Sequence, residues 1–191
     1  MKNISAVILA AGSGKRIGTP KLKLKIGEDY FVNLIVSKIK SAGIENILCI
    51  IREADKDWFK KFALPVSYAV NSNPESGMVH SVLLGINHFK DSSAIVIFPV
   101  DHPTVKPETL ASLIKVFSEN TSSIIKPRFK NQSGHPIIIP KSLFDFALNS
   151  SGNDNFKTII QNSNLPVIFV KVDDEGILKN INLKSDLENI S

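Results

Sequence analysis

The sequence predicts an α/β fold in three layers, a mainly parallel sheet with helices on both faces. Seven short runs rich in apolar and β-branched residues read as buried strands: SAVILA, NILCIIR, PVSYAV, SAIVIFPV, SSIIK, HPIIIP and PVIFVKV. Segments of helical period lie between most of them, as the crossover connections of a parallel sheet require. At 191 residues and 43% hydrophobic content the chain can bury one sizeable core, so residues 1–191 are expected to form one domain.

Taken in order, the first strand runs into the glycine-bearing loop GSGKRIGTPK. The segment YFVNLIVSKIKSAG then places Phe31, Leu34, Ile35 and Ile39 at helical intervals and stops at Gly43, suited to the left-handed position past a helix end. After the next two strands, the loop NSNPES leads into a helix that starts near Gly77 and Met78. PETLASLIKVF opens with Pro107 and Glu108. Proline's missing N–H is harmless in a first turn, and a carboxylate suits the positive end of the dipole. KPRFKNQSGHP, residues 126–136, reads as a polar loop placed to cover a site, and the last two strands complete the sheet.

No apolar run approaches the roughly 18–20 residues that span a bilayer, and the N-terminus lacks the ordered regions of a signal peptide, so a cytoplasmic protein with no membrane partner is expected. A single cysteine, Cys49 in an apolar run, excludes an intrachain disulfide and a cysteine-cluster metal site. The net charge of +5 and pI near 9.3 suit an anionic partner. Nucleic acid is not expected: aromatic residues are 7% of the chain, and there is no zinc-finger spacing, RNP-like sequence or long basic helix face. The cations instead concentrate, with Lys15, Arg16, Lys21, Lys23 and Lys25 close together, which favours a local phosphate site.

The loop after the first strand fails two glycine-loop patterns. A P-loop needs glycine where Leu9 stands and a hydroxyl where Arg16 stands. The dinucleotide fingerprint is met by Gly12 and Gly14 but not by Ile17. A tight turn with solvated lysines is the plain alternative. Lys23 and Lys25 alternate with Leu22, Leu24 and Ile26 as the solvent face of a short strand would.

The order Leu9, Ala10, Ala11, Gly12, then Arg16, Gly18 and Lys21, resembles the signature of the MobA-like NTP transferases, the group that includes the molybdenum cofactor cytidylyltransferases. GMVHS at 77–81, FPVDHP ending near Asp101, and SGHPIII around His135 resemble later motifs of that family in the same order. The resemblance implies a Rossmann-like nucleotidyltransferase fold, related to the glycosyltransferase-A fold. It implies transfer of an NMP from an NTP to a phosphorylated acceptor such as molybdopterin, with Mg²⁺ as cofactor and pyrophosphate released. CTP is the first choice of nucleotide, because Leu-Ala-Ala-Gly is closer to the cytidylyl than to the guanylyl branch.

Residue types support these roles. Leu9, Ala10, Ala11, Gly12, Gly14 and Lys15 form the expected nucleotide loop, where small residues allow backbone N–H groups to approach phosphates. Arg16, a planar fork of donors, suits the departing pyrophosphate, and Lys21, a compact charge, suits the α-phosphate. Asp101, at a strand's C-terminal end, is the expected metal carboxylate, with a turn aspartate as the plain alternative. Gly77 and Ser81 would present backbone and hydroxyl to the nucleotide. Asn71 would offer its amide to the base or simply close a turn. His135 would face the acceptor, whereas His102 reads as a loop residue. The family's final aspartate-rich segment is degraded: Asn180 and Asn182 stand where two carboxylates are usual, and Asp186 remains. A sugar-phosphate or alcohol-phosphate nucleotidylyltransferase, or a catalytically weakened nucleotide-binding accessory protein, are the other readings.

Overall fold

A computed structural model of the chain describes residues 3–14, 17–62, 65–150 and 154–188. All seven sequence-read strands are present: β1 (Ile4–Leu9), β4 (Ile47–Ile51), β5 (Ser67–Val70), β6 (Ala94–Pro99), β7 (Ile124–Phe129), β9 (Ile137–Pro140) and β10 (Val167–Lys171). Three two-residue strands complete the set: β2 (Lys25–Ile26), β3 (Asp29–Tyr30) and β8 (Gln132–Ser133). The helices are α1 (Phe31–Ser41), α2 (Lys56–Phe62), α3 (Met78–His88), α4 (Pro107–Glu119), α5 (Phe144–Leu148), α6 (Phe156–Asn162) and α7 (Lys184–Glu188).

The main sheet runs β10-β7-β9-β6-β1-β4-β5, with β8 on β7. β9 alone opposes its neighbours on that path; the other strands point the same way. Because β1 is buried on both faces, its residues alternate between two cores. Ala6 and Ile8 pack with Ile35, Leu110 and Phe117 beneath α1 and α4, while Val7 and Leu9 pack with Val82, Ile86, Phe144 and Ile159 beneath α3, α5 and α6. The α3 layer sits very close to the sheet. A Cβ on Gly85 would lie 2.6 Å from Val7 Cγ2, so only glycine permits this approach, and it sets the first turn of α3 above the end of β1.

The chain leaves β1 toward β4 and β5, then returns to β6 on the other side of β1. The strand order therefore reverses between β1 and β6, whose register pairs Leu9 with Pro99. Open α/β sheets bind ligands in the crevice at such a point. The loops after Leu9 and Pro99 both open into it.

Two readings are corrected. Residues 126–136 are not simply a loop: β7 extends to Phe129 and turns back through β8, with Lys130 at φ +53° in the turn. Lys23 is not on the solvent face of a strand. It ends a 3-10 turn, Lys21–Lys23, and its ammonium lies 2.7 Å from the buried carboxylate of Asp55, which also binds Arg52.

Candidate active site

The crevice holds a cavity of about 250 Å³, lined by Leu9, Ala11, Gly12, Lys21, Gly77, Ser81 and Asp101 among others. Seven of the sequence-selected residues thus meet in one place. Ala10 does not: its side chain faces the α1 core and its N–H donates to Ile50 O at 2.9 Å, extending the β1–β4 ladder. The loop's free backbone donors are therefore later ones. Among the described residues the N–H groups of Ala11, Gly12 and Ser13 have no backbone acceptor. Gly14 shapes the loop: its carbonyl accepts from Ile17 and Gly18, its φ is +63°, and a Cβ there would lie 2.0 Å from Thr19 O. Lys15 and Arg16 lie outside the described residues.

Lys21 and Asp101, 80 residues apart in sequence, are in contact. Lys21 Nζ donates to Asp101 Oδ2 at 2.5 Å and to Asn182 Oδ1 at 2.6 Å. Side-chain oxygens from two distant parts of the chain thus converge on one cation. Asp101 is the only carboxylate in this group, and among the described residues no cluster of three or more histidine, cysteine, aspartate or glutamate side chains could hold a metal. The donor set nonetheless fits Mg²⁺, which needs one or two carboxylates, with phosphate oxygens and water completing its shell. The ammonium marks where a hard cation is favoured.

Asn71 closes a turn, the plain alternative for it, and orients the hydroxyl of Ser81 at the cavity. Asn71 is buried; its amide donates to Ser81 Oγ at 2.9 Å and its carbonyl accepts from Asn73 N at 2.8 Å. Asn71 reaches the cavity through Ser81, whose hydroxyl proton is left for a ligand.

The segment after β10 crosses the C-terminal edge of the sheet as a strap. Val172 N donates to Arg128 O, His135 N donates to Ile177 O, and Ile181 N donates to Asp101 O at 3.0 Å. The strap is held by Asp174, a buried carboxylate that sequence reading passes over. It accepts from Lys106 N (2.8 Å) and Thr109 Oγ1 (2.6 Å) at the start of α4, and from Gly176 N (2.9 Å) within the strap. Its Asp-x-Gly turn is the local signal that identifies such a residue. Lys38 of α1, which donates to Pro103 O, has its pKa lowered by burial, with the charge of Asp174 opposing.

His102 lies in the loop after β6, as expected, but it is not exposed. It is buried under the strap, with Nδ1 3.4 Å from Gly176 O. Burial lowers its pKa, and neighbouring Asp101 opposes that shift. His135 does not line the cavity. Its ring lies 5.3 Å from that of His102, Nδ1 is buried without a hydrogen-bond partner, and burial, then the charge of His102, push its pKa down to about 4. Asp186 accepts from Asn182 N and Leu183 N and so holds its own turn.

Comparison with known proteins agrees with this geometry. Residues 6–167 match the model of the MobA-like NTP transferase domain. The chain is 29% identical over 141 residues to the bifunctional protein GlmU of Clostridioides difficile, covering 72% of this chain but only 30% of that protein. It is 24% identical over 197 residues to a probable molybdenum cofactor guanylyltransferase of Thermococcus sibiricus, covering 96% and 95% of the two. The structure of Rv0371c from Mycobacterium tuberculosis superposes with a TM-score of 0.85 at 23% identity, covering 99% and 97% of the chains. A second Rv0371c structure, its complex with manganese, gives 0.79 at 19% identity, covering 99% and 98%. Among the described residues no helix is long and apolar enough to cross a membrane. The match over residues 6–167, together with the crevice that gathers its motifs, assigns the chain to the MobA-like NTP transferase domain family, whose members share a Rossmann-like nucleotidyltransferase fold.

Proposed function

We propose that the protein transfers an NMP from an NTP, CTP first, to the phosphate of a small-molecule acceptor and releases pyrophosphate. The observation that carries this reading is the convergence of Lys21, Asp101, Ala11 and Gly12 on one crevice, with the N–H groups of Ala11 and Gly12 given no backbone acceptor among the described residues. The triphosphate lies along the Gly12 loop, whose N–H groups form a nest of donors. Lys21 leaves Asp101 and Asn182 for the α-phosphate, where negative charge accumulates as the acceptor phosphate attacks in line. Arg16 holds the departing pyrophosphate. Ser81, oriented by Asn71, binds the nucleotide beside Gly77, and His135 faces the acceptor side.

Asp101, with the Asn182 side-chain oxygen, would hold Mg²⁺, which when bound neutralises charge on the phosphate oxygens. The Rv0371c complex with manganese supports a divalent ion in this fold. Molybdopterin is the acceptor suggested by the family. GTP is a second reading for the nucleotide, favoured by the full-length similarity to a probable guanylyltransferase.

Pyrophosphate release, measured with each of the four NTPs, Mg²⁺ and a panel of phosphorylated acceptors, tests this directly. Acceptor-dependent release is expected, fastest with CTP. Binding without release under every combination favours an accessory nucleotide-binding protein.

A further inference from the structure

We infer that the sheet face beyond His135 carries an anion subsite, formed by Lys126, Arg128 and Lys157, that holds a second anionic group of the acceptor. The inference rests on the transfer reading above. β7 alternates between the two cores: Ile125 packs in the α1 layer and Ile124 in the α3 layer, so Lys126 and Arg128 stand on the Ile124 face. That face is the one that carries Leu9 and Ala11, which line the nucleotide cavity. β7 points the same way as β1 and β6, so its C-terminal half lies at the same sheet edge.

β10 places Phe169 beside Lys126 in register. The Arg128 guanidinium lies 3.8 Å over the Phe169 ring, which is still 41% exposed. Lys157, exposed at the start of α6, is near enough for its charge to lower the pKa of half-buried Lys126, after burial itself. His135 feels the charges of both Asp101 and Lys126, so the reaction centre and this group lie within electrostatic reach of one side chain.

None of the ion pairs among the described residues involves these three cations. The Arg128 Nε is buried without a hydrogen-bond partner. Half-burying one ammonium next to another disfavours the charged forms, and an anion that meets both offsets the cost. A guanidinium fixed on an aromatic face presents its remaining donors as a preset fork, suited to a phosphate or carboxylate. The attacking phosphate belongs at Lys21 and Asp101, so the group held here is a second one.

The test follows chemical shifts of the full chain as inorganic phosphate is added at constant ionic strength, with CTP and Mg²⁺ present. Saturable shifts are expected at residues 126, 128, 157 and 169. The double variant Lys126→Met, Lys157→Ala should weaken phosphate binding at this face at least tenfold, leave CTP affinity unchanged and raise the thermal midpoint. Shifts absent from this face, unchanged phosphate affinity in the variant, or a lowered midpoint would each overturn the subsite. Absence of CTP-induced shifts at residues 9–14 would count against the transfer reading instead, and leaves the phosphate measurement independent.

Discussion

At Asp101 the resting protein already holds a cation, the Lys21 ammonium, shared with Asn182. Catalysis as proposed requires that ammonium to move to the α-phosphate. Lys21→Ala and Arg16→Ala should both fold and lose on the order of 10²–10³ in turnover, the usual effect of removing one transition-state donor. Wild-type pyrophosphate release in both folded variants would contradict their roles. Asp101→Asn should nearly abolish release. Asn182→Asp, which supplies a second carboxylate, should lower the Mg²⁺ concentration needed for half-maximal release; an unchanged or higher requirement would place the ion elsewhere. His135 makes a separate prediction. Its pKa is about 4 in the folded protein against 6.5 when unfolded, so between those values the unfolded chain binds more protons. Stability should be complete above pH 6.5 and fall as pH drops toward 4, by at most about 3 kcal/mol for this group. Urea melts of wild type and His135→Gln across that window check it: the variant should show the shallower pH slope, and equal slopes would contradict the shift.

At the scale of elements, the strap from β10 to α7 is the part that completes the site, and it depends on two tight fits. Asp174 joins the strap to the start of α4 through two hydrogen bonds and closes its own turn through a third, and Gly134 lies where a Cβ would come 1.9 Å from Ile177 O. Asp174→Asn should cost about 1.5–3 kcal/mol, the worth of hydrogen bonds to a charged group, in guanidinium unfolding. Gly134→Ala must displace the strap backbone, and Asn182 lies at its far end. Its pyrophosphate release should therefore fall more than its Mg²⁺-free CTP affinity; a variant with unchanged release would show that the strap's position is immaterial. Little of this was legible in sequence. Asp174 meets Lys106 across 68 residues and Lys21 meets Asn182 across 161, and no local period encodes contacts of that range. Of the two-residue strands, β2 was marked by the alternation around Lys25, whereas β3 and β8 escaped because pairs so short carry little alternation to read.

Over the whole molecule, the longer strands were legible because a sheet covered on both faces demands near-continuous apolar runs, such as AIVIFP in β6 and ILCII in β4. The strand reversal that makes the crevice is a property of topology, yet the loop motifs after Leu9 and Val100 marked its two sides. Ala10 was misread because a small residue suits close strand packing as well as it suits a phosphate. The central claim is that the triphosphate occupies the crevice between the ends of β1 and β6. A second cavity, of about 460 Å³ between α5 and α6 and lined by Asp145, Phe146 and Asn162, offers a larger alternative volume of different chemistry. Backbone amide shifts on titration with CTP and Mg²⁺ decide between them. Saturable changes at residues 9–14, 21, 77–81 and 101, lost in Lys21→Ala, are the predicted result; changes confined to residues 145–162 would contradict it.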